Sequence, residues 1–406
     1  MSDIIKPADK DQLREAIAWA FAEKSPLEIR GTGSKSSLGR SLDDMPVLDI
    51  SALSGVTLYE PGELVLTAGA GTPMAEIEQM LSDKNQRLAF EPMDMAAVLG
   101  GTAGDGTLGG TIACNLAGPR RISAGAARDH ILGVKGVTGR GETFKSGGRV
   151  VKNVTGYDMS KLMTGSWGTL GVMSEITVKV LPRPEKAWTV LLSGLDDTAA
   201  IKALARAAGS SHEVSGLAHI PKAAAAGSAV SYVRDAGAAV TAIRVEGPGP
   251  SVEHRAASLR RELADFGETE ELHSHNSAGL WQEVRDVGLL SGTDQLWRLS
   301  VAPSDGAAVV ADIARQIENT QAVYDWAGGL VWLTIPQRPD AGHEIIRTAV
   351  NTVGGHATLI RAGADVRGQV PVFHPQAQAV VDLSRRIKEG LDPHGIFGPG
   401  RMVAGL

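Results

Sequence analysis

The chain has little of what builds closed metal centres or cross-links. One cysteine, Cys114, stands among 406 residues. That excludes an intrachain disulfide, an iron–sulfur cluster held by this chain alone and any multi-cysteine zinc site, and it suits a reducing compartment. No apolar run approaches the ~20 residues of a membrane-spanning helix, and the N-terminus shows no apolar signal core. Contact with a membrane is therefore expected to be indirect, through a partner. There is no basic excess either. Forty Lys and Arg face 46 Asp and Glu, for a net charge of −6, with the signs interspersed, which argues against a nucleic-acid binder. Apolar residues make up 43% of the chain, enough for two domains of ordinary size.

The richest stretch runs from Gly109 to Val180. Glycines and small residues recur where a backbone would have to press against a flat, phosphate-bearing ligand. Around it the periodicity predicts a helix over 9–24 behind an aspartate cap, with Leu13, Ala16, Ile17, Ala20 and Phe21 on one face. Short strands are expected at 27–30, 47–50, 57–60, 64–68 and 88–90. Thr72-Pro73 predicts a helix start with a threonine cap and proline first. A hairpin is expected around Gly139–Gly141 and a strand over 171–181, ending at the boundary signal PRPE. Beyond it, strand–helix units recur at 188–208, 240–266, 294–317 and 329–362. TAIRVEGPGPSVEHRAASLRREL and WRLSVAPSDGAAVVADIARQI share one layout, which predicts two related βαβ halves of an antiparallel-sheet domain.

The loop RGTGSKSSLG, residues 30–39, carries three glycines, three serines and a lysine. Consecutive amides in such a loop form a nest for pyrophosphate, because glycine allows close approach and the required backbone angles. It matches neither GxxxxGK[ST] nor GxGxxG opening a helix, and alone it reads equally well as a surface loop. Gly109, Gly110, Ala113, Asn115 and Gly118 are spaced to bring a helix and its preceding turn against a ring system; tight helix packing is the alternative. Arg120 and Arg121 follow, either as ligands for a phosphate or substrate carboxylate or as solvated surface arginines.

Three elements in order now resemble a known family: RGTGSKSSLG, then GGTIACNLAGPRR with AGAARDHILGV, then VVKNVTGYDMSKLMTGSWGTLGV. Together they are similar to the FAD-binding domain of the vanillyl-alcohol oxidase/p-cresol methylhydroxylase superfamily. KNVTGYD with the closing LDPHGIFGPGRM resembles the FAD-binding E subunits of bacterial glycolate oxidases. The resemblance covers 26–182 and 376–406 and is vague between. It implies an α+β fold. A two-subdomain FAD-binding domain would occupy 1–184, an inserted antiparallel-sheet α+β cap domain 185–374, and 375–406 would return to the FAD domain.

By position, the resemblance puts Gly31, Gly33, Ser34 and Lys35 at the pyrophosphate. Gly109, Gly110, Ala113, Asn115 and Gly118 would line the flavin and ribityl chain, with Gly125, Arg128, Asp129 and Val134 along the cofactor. Lys152 and Asn153, with Gly156 and Tyr157, belong to the family signature, and Gly171 and Val172 would close the adenosine end. Arg128-Asp129 reads equally as a helix-end ion pair, and Tyr157-Asp158 as the packing and cap of a short helix. Members that attach FAD covalently often carry a histidine just after the first glycine loop; here GTGSKSS implies non-covalent FAD. The family tail FNPGR has Gly398 in place of asparagine, which removes one amide contact.

Related D-2-hydroxy-acid dehydrogenases carry HxGDGNxH in the cap, where a metal grips the hydroxy acid and a base takes its proton. The counterpart here is DWAGGLVWLTIP, with Trp326 and Trp332 where histidines would stand, so neither a metal site nor a catalytic base is assigned. His273 and His275, two apart, would chelate from one side of a strand or sit in a polar loop. His374 would approach the flavin or merely precede Pro375 in a turn, and His394 is expected to be solvated.

The implied activity is that of an FAD-dependent oxidoreductase acting on the CH–OH group of 2-hydroxy acids, as one subunit of a multi-subunit glycolate oxidase. Its partners would be a paralogous FAD-binding subunit and an iron–sulfur subunit, in the cytoplasm or at the inner face of the plasma membrane. Two rivals stand beside this: a self-sufficient dehydrogenase whose Arg120 or Arg121 holds the carboxylate, and a non-catalytic flavin-binding scaffold.

Overall fold

In the computed structural model of the chain, residues 3–42, 44–96, 98–149, 156–290 and 292–406 are described. They divide into two units. The first takes the chain up to Leu116, Gly125–Arg183 and Pro375–Leu406; the second takes Ala117–Ala124 and Pro184–His374.

The first unit begins with β1 (Ile4–Ile5) and helix α1 (Lys10–Glu23). Asp9 caps α1 by accepting from the amides of Asp11 and Gln12, and Leu13, Ile17 and Ala20 are its buried stripe, as the spacing requires. Strands β2 (Glu28–Arg30) and β3 (Val47–Asp49) complete a parallel three-stranded sheet in the order β1-β3-β2. Next come β4 (Val56–Glu60), β5 (Val65–Gly69), α2 (Met74–Ser82), β6 (Gln86–Arg87), α3 (Leu108–Cys114), β7 (Ile131–Val137), β8 (Thr143–Gly147), β9 (Val172–Lys179) and β10 (Leu181–Pro182). An antiparallel five-stranded sheet runs β4-β5-β9-β7-β8. Its centre, β9, reads VMSEITVK and is buried along nearly its whole length, which suits a β-branched strand with neighbours on both sides. The C-terminal segment joins this unit through strand-like pairing of Phe397 with Leu27. Lys388 of the Gln378–Leu391 helix bonds the carbonyls of Thr169 and Phe397 and the carboxylate of Asp392.

The second unit is an eight-stranded antiparallel sheet with strands β11 (Lys186–Ser193), β12 (Gly216–Ile220), β13 (Val240–Gly247), β14 (Thr269–Leu272), β15 (Gln295–Ser300), β16 (Gln321–Asp325), β17 (Leu330–Ile335) and β18 (His356–Arg361). The spatial order is β14-β11-β13-β12-β16-β17-β15-β18. Each half, read from its outer edge, has the order fourth, first, third, second. With α4 (Asp197–Ala208) and α5 (Gly249–Glu262) in one half, and α6 (Gly306–Gln316) and α7 (His343–Asn351) in the other, each half is a βαββαβ unit. The halves meet where His219 on β12 pairs with Tyr324 on β16. One apolar core gathers alternate strand residues, among them Val190, Leu217, Ile243, Trp297 and Val331, beneath Leu204, Leu259, Ile313 and Ile346 of the four helices. Each such side chain contributes roughly 1.5–3 kcal/mol by leaving water.

Several expectations need correction. The duplication is real, but the two matched sequence pieces are not equivalent: TAIRVEG… supplies the third strand and second helix of its half, whereas WRLSVAP… supplies the first strand and first helix. Every βα step in such a unit carries the same pattern, so periodicity cannot tell the positions apart. Residues 88–90 are buried but not a strand; the pairing falls one turn earlier, Gln86–Arg87 against Leu181–Pro182. Thr72 does not cap α2, because its hydroxyl donates to the Gly69 carbonyl at 2.7 Å instead. His273 precedes a helix, Ser274–Arg285, that contains His275. The two share no strand face, and His273 stacks on Trp188 with centroids 3.8 Å apart.

Candidate cofactor-binding site

The first glycine loop leaves β2 at Arg30 and lies against the start of α3. A Cβ on Gly31 would stand 2.6 Å from Thr107 Oγ1, closer than packed atoms allow, so only glycine fits. Thr107 is the N-cap of α3, its hydroxyl accepting from the Gly110 amide at 3.3 Å. Gly109 presses α3 onto the end of β5: its amide donates to the Ala70 carbonyl at 2.8 Å, and a Cβ there would sit 2.8 Å from the same oxygen. Gly33 has φ +83°, the left-handed region that glycine enters without strain.

These stretches line one cleft open to solvent. Its lining comes from Glu28–Ser36, from Thr107 to Cys114, and from Trp167, Gly168 and Gly171–Met173, with Arg401. Three cations, Arg30, Lys35 and Arg401, share it with one carboxylate, Glu28. Glu28 pairs with Arg30 at 2.6 Å and Arg401 at 3.5 Å. The Lys35 ammonium has no carboxylate partner among the described residues. Its one hydrogen bond is to Ser34 Oγ at 3.4 Å, and shielding from water holds its pKa below the ordinary lysine value, against the opposing pull of Cys114 and Asp94. The Nε atoms of Arg30 and Arg401 are buried without a hydrogen bond among the described residues.

A cation short of an anion, two orphaned guanidinium nitrogens and a glycine cradle that any Cβ would fill are what a dinucleotide pyrophosphate needs, so the residues present fit FAD. Cys114 also lines the cleft, but burial pushes its thiol pKa up, which keeps it protonated and a poor nucleophile.

The cleft brings together Gly31, Gly33, Ser34, Lys35, Gly109, Gly110, Ala113, Gly171 and Val172. The other expected residues that are described lie outside its lining. Asn115, in the left-handed region at φ +52°, ends α3 and accepts from the Arg128 amide at 3.2 Å. Gly125 and Asp129 form a local turn, the Asp129 carboxylate accepting from the Ala126 amide at 2.8 Å. Val134 is buried in β7 between Ile176 and Ser146. Gly118 belongs to the second unit. Lys152 and Asn153 are outside the described residues; Tyr157 is 93% exposed, so it does not pack.

Sequence reasoning missed Glu28, Thr107, Trp167 and Arg401. Trp167 holds φ +55° and donates its amide to the Ala113 carbonyl at 2.9 Å. Arg401 binds the carbonyls of Lys35 and Leu38, each at 3.2 Å, fixing the far side of the glycine loop. The GPGRM tail was the signal for Arg401.

In the second unit, Arg120 is neither solvated nor free. It is buried and holds Glu246 through two nitrogens, Nε–Oε2 being 2.8 Å. Arg121 lies over the Trp326 indole, 4.8 Å from Cζ to the ring centroid, and the indole N–H donates to the Gly118 carbonyl at 3.2 Å. His374 is held inside this unit by the Ala357 amide and Asn351. His394 stacks on Phe21 in the first unit. Among the described residues no three His, Cys, Asp or Glu side chains cluster as metal ligands, and no helix is long and apolar enough to cross a membrane.

Residues 2–147 match the FAD binding domain family. The chain is 36% identical to the glycolate oxidase subunit GlcE of Escherichia coli over 99% of its own length and 100% of that protein's. Glycolate oxidase subunit GlcD of Bacillus subtilis is 27% identical over 46% of this chain and 38% of its own. Among solved structures, p-cresol methylhydroxylase with bound substrate superposes at a TM-score of 0.73 and 13% identity, covering 99% of this chain and 88% of that one. This last likeness establishes the fold, with an antiparallel-sheet α+β unit inserted in the sequence of the first unit; the FAD binding domain is given by the family match.

Proposed function

Because the chain belongs to the GlcE family of FAD-binding oxidoreductase subunits, we propose that it is the FAD subunit of a multi-subunit dehydrogenase oxidising glycolate to glyoxylate. FAD lies in the cleft of the first unit, with Gly31, Gly33, Ser34 and Lys35 at its pyrophosphate and Gly109, Gly110, Ala113, Gly171 and Val172 along the rest. When bound, FAD supplies an acceptor for an electron pair that it can pass on singly. The protein's own part is to neutralise the phosphates with Lys35, hold the loop from behind with Arg401 and keep side chains out of the cradle with glycine. Binding is non-covalent, since GTGSKSS has no histidine after the first glycine loop.

With a single cysteine in the chain, onward electron transfer falls to an iron–sulfur partner. Oxidation of the hydroxy acid falls to a paralogous FAD-binding subunit, and any membrane association comes through these partners. The observation that carries this reading is the Lys35 ammonium in a glycine-built cleft with no carboxylate beside it. In the self-sufficient reading Arg120 is already committed to Glu246, which leaves that role to Arg121.

The test is to purify the chain alone and with its partner subunits. The expected result is a yellow protein with one FAD released by acid, whose flavin glycolate reduces only in the assembled complex. A colourless chain would support the scaffold role; vigorous glycolate turnover by the chain alone would support self-sufficiency. Either result overturns the proposal.

A further inference from the structure

The helix Gln378–Leu391 of the first unit is anchored at one end only. Lys388 is its single buried residue. The Lys388 ammonium bonds the Thr169 and Phe397 carbonyls at 2.7 and 2.9 Å and the Asp392 carboxylate at 2.6 Å, and the Leu391 carbonyl accepts the Gly139 amide at 2.9 Å. These anchors all belong to the last turn. Among the described residues no other helix or strand packs along the helix. The turns before Lys388 carry Val380 and Leu383, 46% and 50% exposed, and Ile387 is partly buried.

Val380, Leu383 and Ile387 are three and four apart, which at ~100° per residue aligns them in one stripe about a third of a turn from Lys388. This is the spacing with which one helix interlocks with another. A helix of 14 residues is marginal in water unless its apolar face is packed, and here that face is open. The rim is charged unevenly. On the polar side Asp382 is satisfied by Arg385 at 2.9 Å and by the Gln378 amide at 2.8 Å. Arg386 borders the stripe, and among the described residues its guanidinium forms no hydrogen bond and no ion pair.

The charges decide what covers this face. Asp382, Arg385, Arg386 and Glu389 cancel, so the helix has no net attraction for an anionic membrane. A second copy fits badly. Antiparallel pairing that interlocks Leu383 with Ile387 brings the two Arg386 side by side and sets Val380 against Gly390, which fills nothing. A different chain removes both faults, with a carboxylate facing Arg386 and a large apolar side chain over Gly390. We propose that Val380, Leu383 and Ile387 form the docking stripe for an amphipathic helix of another subunit of the complex, with a Glu or Asp of that helix paired to Arg386. That such a subunit exists rests on the function proposed above; the chemistry of the stripe does not.

The test is the Kd of the full FAD-loaded chain for the partner subunits isolated from the intact complex, read by biolayer interferometry. Leu383→Glu should raise it at least about tenfold, the scale of one leucine lost from the centre of an interface. Arg386→Gln should raise it severalfold and flatten its dependence on salt, whereas Arg385→Gln on the polar side should leave it within about twofold. Leu383 is already half in water, so FAD content and melting temperature of its variants should match the parent, and Leu383→Ala repeats the test with helix propensity kept. A Kd within about twofold of the parent in both Leu383 variants would overturn the stripe. So would a dimer of the chain alone, or binding to phosphatidylglycerol vesicles, that Leu383→Glu abolishes. A parent chain that joins no partner subunit at all would overturn the proposed function together with this surface; a complex that forms regardless of Leu383 overturns the surface only.

Discussion

Lys35→Met is the most direct perturbation of the cofactor cleft. Methionine keeps most of the stem's bulk and removes the charge, and the ammonium makes only one long hydrogen bond within the protein, at 3.4 Å to Ser34, so little internal structure is lost. A hydrogen bond to a charged group contributes about 1.5–3 kcal/mol, which corresponds to a Kd for FAD about 10- to 150-fold weaker. The effect on the apoprotein has the opposite sign. The Lys35 pKa is lowered in the folded state by shielding from water, so between that value and the unfolded value near ~10.4 the unfolded chain binds more protons. At neutral pH the charged side chain therefore costs the apoprotein stability. Apo Lys35→Met should melt at or above the parent, while the FAD-loaded variant should melt below the FAD-loaded parent. Flavin fluorescence titration and melting curves with and without FAD measure both. An FAD affinity within twofold of the parent, or a fall in apo stability, would refute the reasoning.

Gly31→Ala forces a Cβ to within 2.6 Å of the Thr107 hydroxyl; urea unfolding should show a loss of about 1–3 kcal/mol together with weaker FAD binding, and a neutral variant would count against the packing described. Arg120→Ala leaves Glu246 buried with Arg244 3.8 Å away, so a loss toward the lower end of the ~3–5 kcal/mol typical of a broken buried pair is expected, with a double-mutant cycle against Glu246→Gln reading out the coupling. Burial alone would raise the Asp197 pKa, but hydrogen bonds from His219 and Tyr324 bring it below the ordinary value. Its contribution is thus present above the unfolded value near ~3.9 and lost as pH falls through the folded one. Melting temperatures of Asp197→Asn against pH should show a flatter acid limb than the parent.

Much of the cleft was legible in the chain. The 30–39 loop and the run from Gly109 to Ala113 announce close backbone approach, since a glycine requirement is local and shows wherever the backbone must bend or touch. Asp9 as a cap and the α1 stripe were legible for the same reason. The roles expected of Asn115, Gly125 and Asp129 were not. These residues serve the ends of short helices, and cap chemistry uses the same small and acidic residue types as a cofactor loop. The His273–His275 pair read either as a strand chelate or as part of a polar loop, because spacing of two is ambiguous until the secondary structure is known.

The sequence by itself determined where glycine is obligatory, where strands and helices alternate, and that no cysteine cluster exists, because each of these depends on neighbours a few residues away. Tertiary structure alone decided that Arg401 would clamp a loop 366 residues earlier, that 117–124 would join the second unit, and that Arg120 would find Glu246 while Arg298 came to lie against an indole. A cation's partner is set by strand order and by which sheet face its residue occupies, and both are properties of contacts between distant segments.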